Sequence, residues 1–396
     1  MNKNFIHASH EKESEIIALA QKLIRIPSMS GEEKNIAEFV RSEMQRLGYD
    51  RAWIDGAGNV IGHIAGENHG IPGIMLVTHL DHVDAGDRKL WQHDPFGGEL
   101  DNGRIYGRGA SDIKGALAAQ IMAPVLLRQS GKRPAHDVFV VSTVIEETGG
   151  LGMRYLLAQK EFSASCAVIG EPSGNEIRLG HRGRMAVSVR CFGRSAHASA
   201  PERAVNPHYL AARFFLDLEK HLPELATHPQ LGQSSIAPTL YQSNSVSPNV
   251  IPDYVDILLD WRTTSETVRD GVGWIEKIIK EAGVNARAEV PRVTQRTWTG
   301  YEEKDWPVHY TSFLTPQENE EVQKFAAAFG AVAERKPPFG IWRFATDGRL
   351  TAQAGITTFG FGPGEEAQAH VVDESISVEQ LVEAAAVYAQ FCLEKF

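Results

Sequence analysis

Val138-Phe139-Val140-Val141-Ser142-Thr143-Val144-Ile145-Glu146-Glu147 is the stretch whose reading decides the fold. Its first eight residues are β-branched or aromatic apart from Ser142, and they lack the alternation of a strand with one wet face. Such a run reads as a strand covered on both sides, the kind found at the centre of a parallel sheet. Two carboxylates follow it at once. Residues 74–78, 167–169 and 357–361 carry the same apolar character. Helical patterns alternate with these runs, notably 116–129 and a final helix opened by Ser377 with Gln380 as a capping box. The order predicts an α/β fold with helices on both faces of the sheet.

Working outward, residues 11–26 space their apolar side chains for one helix face, and Pro27 ends it. Ser30 and Glu33 read as a capping box for a second helix with the stripe Ile36, Phe39, Val40, Met44 and Leu47. Runs at 52–54 and 60–64 flank Asp55-Gly56-Ala57-Gly58-Asn59, which predicts a hairpin. Residues from about 184 to 293 behave differently. Two alternating strands, 185–190 and 254–261, are interleaved with helical patterns at 207–221 and 266–282. Strand–helix–strand–strand–helix–strand is the order of a ferredoxin-like α+β unit. The expected organisation is a mixed-sheet catalytic domain in two parts, 1–183 and 298–396, with a lid domain inserted at 184–297.

Bulk properties restrict the function. A chain of 396 residues exceeds one compact core. The net charge of −10 argues against a surface that tracks phosphates, so nucleic acid is not expected as a partner. The polar start of the chain and the lack of a sufficiently long apolar window argue against export and against a membrane span. Cys166, Cys191 and Cys392 are too far apart in sequence for a metal pair and read as free thiols of a reducing compartment. Cytoplasmic localisation is the expectation.

Ligand-type residues follow the apolar runs. His79-Leu80-Asp81 follows the first, Glu146-Glu147 the second, and Gly170-Glu171-Pro172 the third. The fourth leads through Gly362-Pro363-Gly364 to His370, and Asp112 sits before a helix in Gly107 to Gly115. Each has a bland reading when taken alone. His-x-Asp is commonly a structural pair, adjacent glutamates are commonly a solvated surface, and a lone histidine near a terminus commonly has no role. Together they fall at one edge of one inferred sheet, where open α/β sheets gather ligands. Two imidazoles and three carboxylates without a thiolate suit zinc, cobalt or manganese.

The full pattern resembles the acetylornithine deacetylase / succinyl-diaminopimelate desuccinylase / aminoacylase family of co-catalytic zinc metallopeptidases. Within it, Arg182-Gly183-Arg184-Met185, Ser199 to Arg203, Trp298-Thr299-Gly300 and Thr346-Asp347-Gly348 are most similar to the branch of selenium-metabolism-linked hydrolases. The resemblance implies two divalent metal ions, zinc first, with Asp112 bridging them. His79 and Glu171 would complete one site, and Glu147 and His370 the other. It makes Glu146 the general base, has Asp81 orient His79, and implies a cis peptide after Asp112. His181-Arg182-Gly183-Arg184 with Gly193-Arg194-Ser195-Ala196-His197, then Asn249-Val250-Ile251-Pro252 and Asp260-Trp261-Arg262, match its lid motifs. By the same resemblance His197 reaches the scissile carbonyl, in a homodimer across the subunit boundary, while Asn249 and Arg262 hold substrate oxygens. Trp342, Arg343 and His181 are candidate pocket walls, with hinges near Arg182 and 293–298. The expected reaction is hydrolysis of an N-acyl amino acid, with a dipeptidase as the alternative. A two-metal phosphoesterase and a non-catalytic binding protein are the readings from other classes.

Overall fold

A computed structural model describes residues 5–68 and 70–395. Four parallel strands form the middle of a mixed nine-stranded sheet, in the order Val138–Thr143, Gly73–His79, Ala164–Ile169 and Thr357–Gly360. The hairpin Arg51–Ile54 and Val60–Ile64 extends one side antiparallel. Ile177–His181 extends the other side, flanked by Phe313–Leu314 and Phe339–Trp342.

Strand periodicity divides the core into two layers, because successive side chains point to opposite faces. Ile74, Leu76, Val138, Val140, Cys166 and Val168 pack on one face, against Glu13–Ile24, Gly115–Gln129, Glu320–Ala333 and Val378–Phe391. Met75, Val77, Phe139, Val141, Ala167 and Ile169 pack on the other, beneath Leu151–Gln159 and Gly348–Gln353. Each fully buried Val, Leu or Ile contributes about 1.5–3 kcal/mol, so the unbroken apolar runs hold the central strands between the two helical layers.

A second sheet has the order Ser235–Ser243, Tyr254–Thr263, Gly183–Phe192, Ala286–Glu289. With Pro207–His221 and Val268–Glu281 on one face it is the ferredoxin-like arrangement, and it has its own apolar core. Burial along Tyr254–Thr263 alternates at every residue, which is why that strand was legible as half-exposed. The short strand His309–Tyr310 also joins this sheet, pairing with Met185 and Arg184. The hairpin Arg292–Arg296 with Glu302–Pro307 spans positions 297 and 298.

Two local expectations are corrected. Ser30 does not cap the helix Lys34–Arg46: no side chain bonds its first turn. Its hydroxyl donates instead to Asp81, and Glu33 accepts from the Gly31 and Ile145 amides. A long-range demand for acceptors beneath the site outweighs the local cap. At the chain's other end Ser377 does cap, accepting from the Gln380 amide, but the Gln380 side chain turns to Gly364 and Glu365. The second correction concerns apolar length. Ala110–Gln129 is by length and composition apolar enough to cross a membrane, yet it is kinked at Asp112, and its apolar window is 94% buried inside the protein, where Gly115–Gln129 is a core helix.

Candidate metal centre and active site

The carboxyl ends of the parallel strands lie side by side: His79 is opposite Thr143, and Val77 and Gly360 are each paired with Ile169. The chain then turns out of each strand and delivers one or two polar residues to a common spot. A side chain at Gly362 would approach the Gly170 carbonyl to 2.2 Å, so only glycine lets those two strand-end loops close on each other. Ile145 (φ 58°) and His370 (φ 63°) hold left-handed backbone immediately beside the site. For a β-branched residue that conformation costs on the order of 1–3 kcal/mol, which the surrounding structure must offset.

Asp112 is the centre of the cluster. Its Oδ1 is 3.1 Å from His79 Nε2 and its Oδ2 is 3.2 Å from His370 Nε2. His370 Nε2 also lies 3.1 Å from Glu147, and His79 Nε2 lies 3.6 Å from Glu171. The five residues expected as ligands are therefore brought together, and the Asp112–Ile113 peptide is cis. Donor atoms of His79, Asp112 and Glu147 fall within 4.8 Å of one another, as do those of His79, Glu146 and Glu171.

Charge shows what the cluster needs. Burial pushes the Glu146, Glu171 and Glu147 carboxyls upward, and the neighbouring carboxylates add to it. Burial also acts to raise Asp112, but hydrogen bonds from His370 and His79 outweigh it and hold that group low. Bonds to Asp112 and Glu147 push His370 up to about 10. So many carboxylates in a desolvated pocket repel one another unless cations lie among them. Oxygen and imidazole donors without thiolate fit a borderline or hard divalent ion. The residues present thus fit a divalent metal centre.

Asp81 sits behind this cluster. His79 Nδ1 donates to the Asp81 backbone carbonyl at 2.9 Å, while the nearer carboxylate oxygen is 3.6 Å away. The carboxylate of Asp81 instead accepts from the backbone amides of Glu146 and Glu147, each at 3.1 Å, and from Ser30. It fixes the pair of glutamates more directly than it fixes the imidazole. Of those two glutamates, Glu147 turns to His370, whereas the Glu146 side chain has no hydrogen-bond partner among the described residues and faces a cavity of about 370 Å³.

Arg184, Arg262, Tyr310, Phe344, Thr346 and Arg349 complete the walls of that cavity. Arg262 is thus brought to the site. His197 and Asn249 are not: they meet at an exposed pairing of two short strands distant in sequence, Asn249 Nδ2 to His197 Nε2 at 3.5 Å, and line no part of the cavity. Of the expected walls, Trp342 is fully buried with its indole donating to Pro172, and His181 is buried and accepts from the Thr346 amide. Neither they nor Arg343 line the cavity; the next turn, Phe344 to Thr346, does. The strand bearing Trp342 pairs with the one bearing His181, so both rings are spent on the core.

Sequence reasoning missed the support of Asp112. Glu374, fully buried, accepts from the amides of Gly109, Ser111 and Asp112 and from the Arg108 guanidinium at 2.7–3.0 Å. An acid four residues beyond His370 was the one available signal, and nothing local distinguishes it from a surface acid.

The model of peptidase family M20/M25/M40 matches residues 75–394. The uncharacterized protein YgeY of Escherichia coli is 28% identical over 98% of this chain and 96% of its own length. Succinyl-diaminopimelate desuccinylase of Methylococcus capsulatus is 27% identical over 95% of this chain and 97% of its own. The M20 family metallo-carboxypeptidase Sso-CP2 from Sulfolobus solfataricus superposes with a TM-score of 0.75 at 17% identity, covering 96% of this chain and 98% of that one. The matched stretch contains every residue of the cluster, and the chain belongs to peptidase family M20/M25/M40 as a metal-dependent hydrolase of amide bonds.

Proposed function

We propose that this protein hydrolyses the amide bond of an N-acyl amino acid, with Glu146 as general base. The observation that carries the reading is the division of labour between two adjacent acids: Glu147 is engaged by His370, while the Glu146 carboxylate faces the cavity with no hydrogen bond among the described residues. His79, Asp112 and Glu171 would hold one divalent ion and Asp112, Glu147 and His370 a second, with Asp112 shared. Zinc fits first, and cobalt or manganese suits the same donors. Bound there, the ions supply Lewis acidity toward the amide carbonyl and the attacking water.

The remaining work falls to the chain. Glu146 takes a proton from the attacking water on a carboxylate oxygen and returns it to the leaving nitrogen as the C–N bond breaks. The free acid and the amine are the products. Burial helps here, because it makes the Glu146 carboxylate a stronger base toward the attacking water. Asp81 keeps the Glu146 amide, and so its side chain, in place. Arg262 receives the substrate carboxylate as a planar fork.

His197 and Asn249 belong to this scheme through a second copy of the chain. Three features support a homodimer across the α+β unit. His197 and Asn249 lie outside their own cavity, the edge strand Ser235–Ser243 is exposed at nearly every position, and Tyr209, Leu216, Leu240 and Tyr241 are exposed apolar residues around it. The lid would close over substrate and exclude water. Three buried free cysteines suit a reducing, cytoplasmic setting.

The test is hydrolysis of N-acetyl, N-succinyl and N-formyl amino acids and of dipeptides after loading with zinc, manganese or cobalt. Glu146→Gln serves as the control. Turnover abolished in the variant with metal content retained supports the reading. Turnover intact in the variant removes Glu146 from the mechanism, and absence of bound metal under every loading condition overturns the whole reading.

A further inference from the structure

The antiparallel pairing of Gly183–Phe192 with Tyr254–Thr263 sets Arg184 directly opposite Arg262. Like charges directly opposite on neighbouring strands destabilise the pair. Asp260, two residues from Arg262 on the same face, accepts at 2.7 Å from the Nε of each arginine. One carboxylate therefore holds two guanidinium groups. Because both bonds use Nε, the two terminal nitrogens of Arg184 and of Arg262 have no partner among the described residues. Both side chains are about a third exposed, at 37% and 34%, and both line the cavity that holds Glu146.

A free guanidinium end is a ready fork for a carboxylate. One such fork serves the substrate carboxylate already assigned to Arg262. The second is maintained against like-charge repulsion, and its terminal nitrogens have no partner among the described residues. Tyr310, paired in register with Arg184, lies beside it, and Arg349 stands 4.6 Å over the Tyr310 ring. Arg184, Arg262 and Arg349 thus bring three cationic groups to the lining of one cavity.

We infer that Arg184 recognises a second anionic group, so that the substrate is an amide carrying two carboxylates, one for each arginine. The inference rests on the amidohydrolase reading and names its substrate class. The two carboxylates can both sit on the amine side, as in an N-acyl aspartate or glutamate, or one on each side, as in an N-succinyl amino acid. The recognition chemistry is shared, and the assay separates the two.

The experiment compares kcat/KM of the zinc-loaded enzyme for N-acetyl-alanine, N-acetyl-aspartate, N-acetyl-glutamate and N-succinyl-alanine. At least one dicarboxylate is expected to exceed N-acetyl-alanine by about 10–100-fold, the range for a hydrogen bond to a charged partner. Arg184→Gln should collapse that ratio and Arg184→Lys should keep part of it. Arg287→Ala, an exposed arginine of the same sheet outside the cavity, should leave it unchanged. A wild-type ratio near one, or a ratio unaltered in Arg184→Gln, overturns the inference while the hydrolase reading stands. A second readout needs no turnover: thermal stabilisation of the metal-loaded enzyme by glutarate should exceed that by butyrate and lose its excess in Arg184→Gln. If no amide is cleaved but this difference persists, the hydrolase reading fails and the anion site remains. Equal stabilisation by the two acids counts against the site.

Discussion

Replacing Glu374 tests whether the placement of Asp112 is imposed from outside its own loop. Glu374 Oε1 accepts from the Ser111 and Asp112 amides at 2.9 and 3.0 Å. Oε2 accepts from Gly109 at 3.0 Å and from Arg108 at 2.7 Å. The side chain of Glu374 is 0% exposed and that of Arg108 is 4% exposed, so water cannot substitute for a lost acceptor. Truncation to alanine severs a buried ion pair, at about 3–5 kcal/mol, and each orphaned amide adds about 1–3 kcal/mol. That sum is comparable with the whole stability of a typical domain, about 5–15 kcal/mol, so alanine is the wrong probe. Glu374→Gln is the informative one. It keeps a carbonyl oxygen for one pair of donors and turns an amide NH2 against the other pair, for an expected loss on the order of 3 kcal/mol. The loop that carries Asp112 then relaxes, and a support of this kind is worth about 10–100-fold in metal affinity. Zinc affinity would be measured against a competing chelator and stability by urea melts, with Glu374→Asp as a shorter carboxylate. Wild-type zinc affinity in a folded Glu374→Gln variant would refute the reasoning, because it would mean that Asp112 is positioned without Glu374.

Three further outcomes are expected. Burial raises Glu33 from 4.5 to about 7, with Asp81 adding to it. Its neutral form is thus favoured by folding, a contribution that is complete below about pH 4.5 and lost as pH rises through about 7. Glu33→Gln keeps the acceptor oxygen without the charge, so urea melts of the metal-free proteins should coincide at acid pH and favour the variant by up to about 3 kcal/mol at pH 8; melts that coincide at pH 8 contradict this. Arg262→Ala should raise KM for a carboxylate substrate by roughly 10–100-fold, with a smaller effect on kcat, and the variant should no longer discriminate against the methyl ester; retained discrimination removes the assignment. Leu240→Asp, on the exposed edge strand, should convert a dimer to a monomer by sedimentation and lower turnover with it; a monomeric wild type of full activity contradicts the shared-lid scheme.

Periodicity was strong where burial was two-sided. The run ending at Thr143 and its three parallel neighbours could be read because a sheet sandwiched by helices tolerates only apolar residues at successive positions. The α+β unit could be read for the opposite reason, its alternation being the record of one wet face. His79, Glu146, Glu147 and Glu171 were legible because they end or closely follow those strands, whereas Asp112 precedes a helix and His370 stands at the end of a loop, and their roles came with the family resemblance.

The supports were not. Ser30 and Glu33 match a helix cap in sequence, yet they serve Asp81 and the Ile145 amide, since acceptor demand in a buried site exceeds the gain of a local cap. Glu374 reaches Asp112 across 262 residues, and no local pattern encodes a contact of that span. Trp342 and His181 carry the residue types of a pocket wall, but strand pairing directs them into the core. Arg184 and Arg262 are 78 residues apart and meet only through antiparallel register. Sequence by itself determined the architecture and the residue types of the site, because burial period and donor chemistry are local properties. Which second residues hold those donors in place, and which charges share the cavity with them, was decided by tertiary structure, because buried polar groups take whatever partner the fold brings within hydrogen-bond reach.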